Sequence, residues 1–341
     1  MNQEQIANTL RSLLPKDLKL SKIRSSPALV TDSKGEIVSF AYGICLPYET
    51  PTVRALRLAA AKEGLADLSG KGHKLHVIGD LQGQIESMGA INNFAPSMVE
   101  VFSSPDFAVK YNPSSTAYFP DLQTKRSVLF NTRSLSEFDI NAGSDLDISL
   151  ATFAGSKDPH ITELQRAYIN LEILYSSNHF NTDHNSELYR ELMQSLHQLA
   201  LKNVELDGGP FAAAVISAEG NLISVGSNRV FPLSDPLLHG EVCAISRAYE
   251  KVDSLAGATL VTSAQTCIGC AETTARTGIK TIIYGNTASE IEENTCFSEG
   301  PLDPNFFQSV RIQEIAMPKA SDLRAFEAFT ASTKRYLVKA T

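Results

Sequence analysis

Four residues of the second half have the types and spacing to do chemistry together: His239, Glu241, Cys267 and Cys270. A His-x-Glu pair is followed 28 residues later by Cys267-Ile268-Gly269-Cys270, and each pair opens a predicted helix after a strand-like run and a loop. Zinc favours thiolate sulfur and imidazole nitrogen in a tetrahedral set, and three protein ligands leave a fourth position for water, as catalytic sites do. His239, Cys267 and Cys270 supply three, and no second Cys-x-x-Cys or nearby histidine offers an obvious fourth. At a helix start the two thiols share the first turn, where the helix dipole favours their ionised forms. Glu241, two residues beyond His239, can reach a water at the metal without ligating the metal. A carboxylate so placed can take a proton and return it to a departing amine. The pattern points to metal-assisted hydrolysis. A thiol redox pair at Cys267 and Cys270 would need no His-x-Glu upstream, and a non-catalytic zinc-stabilised binding module would gain nothing from Glu241.

The elements that must position these residues can be read around them. Leu164, Ala167, Tyr168, Leu171, Leu174 and Tyr175 recur at helical spacing, as do Leu188, Leu192, Leu196 and Leu199. Asp207-Gly208-Gly209-Pro210 breaks the pattern. Strand-like runs at Phe211–Ser217 and Asn221–Val225 flank the turn Ala218-Glu219-Gly220. A helix is predicted over Leu237–Tyr249, a strand over Thr259–Ser263, a short helix over Cys267–Thr277 and a strand over Lys280–Tyr284. Strands alternating with helices imply an α/β architecture with a mixed sheet.

The first half repeats this order. Ala28–Phe40, ALVTDSKGEIVSF, resembles Ala213–Val225, AAVISAEGNLISV, at an offset of 185 residues, with the turn glycines Gly35 and Gly220 coinciding. Each hairpin is followed by a loop with proline, Pro51 or Pro236, and then an alanine-containing helix. Lys74–Ile78 answers to Thr259–Ser263, and Met98–Phe102 to Lys280–Tyr284 with a drift of three residues. The expected organisation is therefore two tandem α/β/α three-layer modules, a first domain over 1–155 and a catalytic domain over 156–341. The offset sets Arg54 opposite His239, Leu56 opposite Glu241, Gln82 opposite Cys267 and Ile85 opposite Cys270, so the first module lacks metal ligands. His73 and His76 have no cysteine or carboxylate pattern beside them and read as ordinary surface or strand residues, as do His160, His179 and His184. Cys243 is expected buried on the helix behind His239 and Glu241, and Cys296 in a loop.

Composition narrows the rest. With 43% hydrophobic and 20% charged residues in 341, the chain is globular in character and long enough for two cores. It has no apolar run of membrane-spanning length and no secretory signal pattern at Met1-Asn2-Gln3-Glu4, so a cytoplasmic protein is expected. Five scattered cysteines are no disulfide framework. The net charge of −8 falls mostly on the second half, with 15 basic and 22 acidic side chains against 15 and 16 in residues 1–155. That balance favours a small substrate over nucleic acid. Residues 318–341 run the other way, with five basic side chains, among them Lys334, Arg335 and Lys339, against two acidic ones. This tail is the place a tRNA would contact, or a solvated helix face.

The chemistry-bearing fragments resemble the zinc-dependent cytidine/deoxycytidylate deaminase superfamily, whose signature is H-x-E followed by P-C-x-x-C. The resemblance runs from about Glu187 to Tyr284 and includes Pro210-Phe211-Ala212 at the first strand. Asn228 followed by Asp235-Pro236 and then His239 is most similar to the guanine deaminase and tRNA adenosine deaminase branch. The resemblance implies zinc on His239, Cys267 and Cys270, Glu241 as proton shuttle, and Asn228 as a hydrogen-bonding partner of the base. It implies hydrolytic deamination of a nucleobase, nucleoside or nucleotide, with tRNA editing as the alternative. It also suggests a dimeric association, either between copies or within the tandem chain. The chain departs from the pattern at Thr266, where proline is usual, at Gln265, where a carboxylate is common, and at Gly240, where alanine is common. Threonine in place of the proline is expected to cap the helix.

Overall fold

Two five-stranded mixed sheets organise the chain, and their strands run in the same order. In the first, β1 (Ala28–Thr31), β2 (Ile37–Ala41), β3 (Lys74–Ile78), β4 (Met98–Ser103) and β5 (Leu129–Ser134) lie in the order β2-β1-β3-β4-β5. In the second, β6 (Ala212–Ile216), β7 (Leu222–Ser227), β8 (Thr259–Ala264), β9 (Thr281–Asn286) and β10 (Gln313–Ala316) lie in the order β7-β6-β8-β9-β10. The computed structural model describes residues 1–12, 27–41, 50–64, 68, 70–78, 91, 96–103, 129–134, 158–233, 235, 237–294, 307, 311–317 and 320–339. Contacts divide the chain into one unit of Met1–Ser156 with Ser234–Pro236, and another of Lys157–Leu233 with Leu237–Thr341.

The register carries the internal repeat further than the sequence does. Ala28 pairs with Ala41 and Ala213 with Gly226, both at the 185-residue offset, and the pairing slips at Val30/Thr31 and again at Val215/Ile216. Thr31 faces Lys74 as Ile216 faces Thr259. The next strand pairs Lys74 with Met98 and Thr259 with Thr281, a drift of two residues rather than three.

In the first unit α1 (Gln3–Ser12) lays Ile6, Ala7 and Leu10 on Leu29, Ile78 and Phe102. Helix α2 (Pro51–Glu63) covers the other face, where Ser39 Oγ donates to Ala55 O at 2.6 Å. Its ends are written in the sequence: Thr50 accepts from Val53 N, Pro51 takes the first helical position rather than a loop, and Gly64 closes the helix at φ 65°. Arg54 and Leu56 sit on α2, while Gln82 and Ile85 lie outside the described residues. His73 and His76 are buried rather than on the surface; His76 is a residue of β3, the central strand of the sheet, and His73 directly precedes that strand.

In the second unit α3 (Ile161–Leu174) and α4 (Glu187–Glu205) precede the sheet. Tyr189, Leu192 and Leu196 of α4 join Ala214, Ile216, Val261 and Ile283 in one core. Strands β6 and β8 are buried at every residue, as expected of strands covered on both faces. Helix α6 (Gly240–Tyr249) lies on the opposite face, so close to β7 that a side chain at Gly226 would overlap the Ala244 amide. After α5 (Val230–Leu233) and α6 come α7 (Ile268–Thr277), α8 (Ala288–Asn294) and α9 (Arg324–Lys339). No described helix is long and apolar enough to cross a membrane. The basic tail is helical through Lys339, but the side chains of Lys334, Arg335 and Lys339 lie outside the described residues, as does Cys296.

Candidate metal centre

Two helix starts bring the metal-type side chains together. Helix α6 begins at Gly240 rather than Leu237, because His239 takes an extended conformation (φ −66°, ψ 160°) as the capping residue. Cys267 caps α7 in the same way (φ −72°, ψ 169°), its sulfur accepting from Cys270 N at 3.5 Å. Thr266 therefore does not cap the helix, and its buried hydroxyl has no hydrogen-bond partner among the described residues. His239 Nδ1 lies 3.4 Å from Cys267 Sγ and 3.5 Å from Cys270 Sγ. The three donor atoms lie within 4.8 Å of one another, and no other such group occurs among the described residues. A tetrahedral zinc with bonds of about 2.3 Å to sulfur and 2.0–2.1 Å to nitrogen needs N···S edges of about 3.5 Å. The donor set fits zinc in both chemistry and spacing.

The electrostatics agree with that use. The hydrogen bond from Cys270 is the largest influence holding the Cys267 thiol well below its ordinary range, and His239 adds to it against the opposing pull of burial. Both helices point their N-termini at the cluster, where the dipole favours anionic sulfur.

Glu241 sits in the first turn of α6, 4% exposed and outside the three-donor group. Burial first, then the charge of Cys267, pushes its carboxyl up, while His239 pulls it back. Thr262 of β8, itself buried, donates to Glu241 Oε1 at 3.3 Å. Nothing in the motif foretold Thr262, although its place on the α6 face of β8 follows from strand alternation once the register is known. Gly240 has a packing reason: a Cβ there would lie 3.1 Å from Ala212 Cα and 3.2 Å from Phe211 O. Gln265 has one as well. Its Nε2 donates to Glu314 at 3.3 Å and its Oε1 accepts from Ala288 N at 3.0 Å, so a carboxylate in its place would face Glu314 with like charge. Cys243, one turn beyond His239, is half-buried rather than buried.

Asn228 follows β7 and is 5% exposed. Its Oδ1 accepts from Val230 N at 3.2 Å, its backbone amide donates to Phe211 O at 2.9 Å, and its Nδ2 donates to no described acceptor. A buried network behind it went unread in the sequence. Arg229 makes a two-pronged pair with Asp158, both contacts 2.6 Å, and donates to Asn203 Oδ1 and Leu206 O. Asn203 Nδ2 in turn donates to Gly209 O and Asn228 O, while Arg229 N donates to Leu238 O, one residue before His239. The network ties the Asn228 turn to the approach of the metal-type histidine. Replacing Asp158 by alanine strands the buried Arg229 guanidinium and should cost about 3–5 kcal/mol, to be read from the urea midpoint of the purified variant.

One family model falls on this centre. Residues 186–286 match the family model described as the cytidine and deoxycytidylate deaminase zinc-binding region. That segment contains His239, Glu241, Cys267 and Cys270, so the matched region, about 30% of the chain, holds the whole three-donor group and the carboxyl beside it. Among solved structures, a guanine deaminase from Nitrosomonas europaea is 27% identical over 49% of this chain and 92% of its own, with a TM-score of 0.36. A guanine deaminase from Bacillus subtilis is 27% identical over 33% and 71%, TM-score 0.31. A tRNA:A34 deaminase is 21% identical over 40% and 99%, TM-score 0.33. No curated protein matches the chain.

Proposed function

We propose that residues 156–341 form a zinc-dependent hydrolase that replaces an exocyclic amine of a nucleobase, nucleoside or nucleotide by a carbonyl and releases ammonia. Residues 1–155 would be a companion module without metal ligands. The observation that carries the reading is Glu241: a buried carboxyl beside a three-donor zinc set, held by Thr262 and not itself a member of that set. A structural zinc site has no use for such a group.

His239, Cys267 and Cys270 would hold the metal, which when bound supplies Lewis acidity that makes water a nucleophile near neutral pH and stabilises negative charge as it develops. Glu241 takes a proton from the attacking water and delivers it to the ring nitrogen next to the reacting carbon. It then moves the remaining hydroxyl proton to the amine, so that ammonia leaves as the carbonyl forms and the ring nitrogen keeps its proton. The burial that raises the Glu241 carboxyl makes it a better carrier, since a shuttle works best with a pKa near the operating pH. Asn228, with Oδ1 committed to Val230 N, would offer Nδ2 to an acceptor on the base. The Asn228, Asp235-Pro236 and His239 segment resembles the purine-acting branch, and a purine is therefore the favoured substrate.

Ammonia release by the purified protein tests this, measured with guanine, adenine, cytosine, their nucleosides and nucleotides, and tRNA. Turnover of a small base compound supports the reading. Turnover of tRNA alone would make the chain an editing enzyme and give the basic tail a role. Stoichiometric zinc without turnover of any of them would favour a binding module. Thr262→Val, which leaves one Glu241 oxygen without its donor, should lower kcat by about 2- to 12-fold with little change in KM. Thr262→Ser should restore it.

A further inference from the structure

The first unit has a second polar centre, on the sheet face opposite the one where its partner fold carries the metal ligands. Thr31, His76 and Glu100 stand on three adjacent strands, β1, β3 and β4. The matching register positions in the second unit are Ile216, Val261 and Ile283, an aliphatic patch sealed beneath α4. In the first unit the covering helix α1 has 10 residues where α4 has 19, and its apolar side chains pack with Leu29, Ile78 and Phe102, with Ile37 and Phe40 beside them. Beneath its first turn remains a cavity of about 370 Å³, lined by Thr31, His76, Glu100, Lys74, Asp32 and Gln3 among others. Small-molecule sites begin near this size, at about 300 Å³.

Thr31, His76 and Glu100 are buried in this cavity and joined to one another. Thr31 Oγ1 lies 2.9 Å from His76 Nε2, and His76 Nδ1 lies 2.8 Å from Glu100 Oε2. The second of these is a close contact outside hydrogen-bond geometry, so the 99%-buried ring keeps a nitrogen without a hydrogen-bond partner among the described residues. Gln3 Nε2 reaches Glu100 Oε1 at 3.3 Å from the helix above. Burying such groups costs free energy unless they are paired, and replacing them by aliphatic residues of similar volume is often neutral or stabilising. The second unit shows that this sheet folds with aliphatic residues at all three positions. The strand order and register alone therefore do not require the polar trio.

We propose that this cavity binds a small zwitterion of the amino-acid class. The Lys74 ammonium, directly across from Thr31, suits a carboxylate. Glu100 and Asp32 suit an ammonium group, with the Thr31 hydroxyl and the His76 ring between them. Apart from His76 no aromatic side chain lines the cavity among the described residues, so it offers no stacking surface for a nucleobase. The site is independent of the reaction proposed for the second unit.

Isothermal titration of the full chain with each standard amino acid, and with adenosine, guanosine and cytidine as a contrast, tests this. Saturable binding of at least one amino acid is expected. The triple variant Thr31→Ile, His76→Val and Glu100→Ile copies the second unit and should fold with an equal or higher Tm while losing that binding. Should the triple variant not fold, Thr31→Val and Lys74→Met taken singly should each weaken binding by about tenfold or more. No saturable binding of any amino acid would overturn the proposal and leave a purely structural cluster. So would binding of nucleosides alone, or wild-type affinity in the variants.

Discussion

Replacing Glu241 by glutamine should leave the zinc content of the chain unchanged and cut turnover by about 100- to 10,000-fold. Glutamine keeps the size of the side chain and an oxygen to accept from Thr262, so the packing around the first turn of α6 survives. What it loses is the ability to carry a proton. The three donors on His239, Cys267 and Cys270 do not include Glu241, and for that reason metal content and turnover should separate in this variant. Equal loss of zinc and turnover would instead make Glu241 a ligand. Retention of most of the turnover would remove it from the chemistry.

Cys267→Ser should lose zinc and turnover together, by a route that spares the fold. Cys267 has two tasks, since its sulfur is a metal-type donor and also caps α7 through Cys270 N. Serine is among the better capping residues, so the variant keeps the cap, whereas alanine at a cap costs about 0.5–2 kcal/mol. A hydroxyl is a poor zinc ligand at neutral pH compared with a thiol already drawn well below its ordinary range by Cys270 and His239. The expected result is a metal-poor protein with the wild-type circular dichroism spectrum. Cys267→Ala should lose the zinc as well and unfold earlier in urea. A full complement of zinc in the serine variant would take Cys267 out of the ligand set.

The sequence made the metal-type cluster legible because its members fall on two short motifs whose internal spacing matches a helix start. It was less good at the edges of those helices. Leu237 and Leu238 continue an apolar pattern into α6, yet the helix waits for Gly240, since His239 must stay extended and Leu238 O receives Arg229 N. Local periodicity has no access to such a hydrogen bond. The same limit hid the Asp158–Arg229 pair, whose partners are 71 residues apart, and Thr262, 21 residues from Glu241. The fifth strand of each sheet also escaped the reading. Gln313–Ala316 is a short edge strand exposed at both ends, and Leu129–Ser134 has no apolar alternation. The repeat itself was legible in the hairpins, where a turn glycine at φ 81° in Gly35 and 85° in Gly220 pins the register of both copies. The polar centre of the first unit was not, because His76 and Glu100 meet only through the parallel pairing of β3 with β4.

The most direct test is to strip the metal from the purified chain and add zinc back while following ammonia release from the best substrate of the panel. Turnover should be absent without zinc, rise in proportion to it and level off at about one equivalent per chain, as three protein ligands at a single centre require. Turnover that persists in the stripped protein, or a chain that takes up its zinc and releases no ammonia from any base, nucleoside, nucleotide or tRNA, would contradict the assignment of this centre as a hydrolytic deaminase.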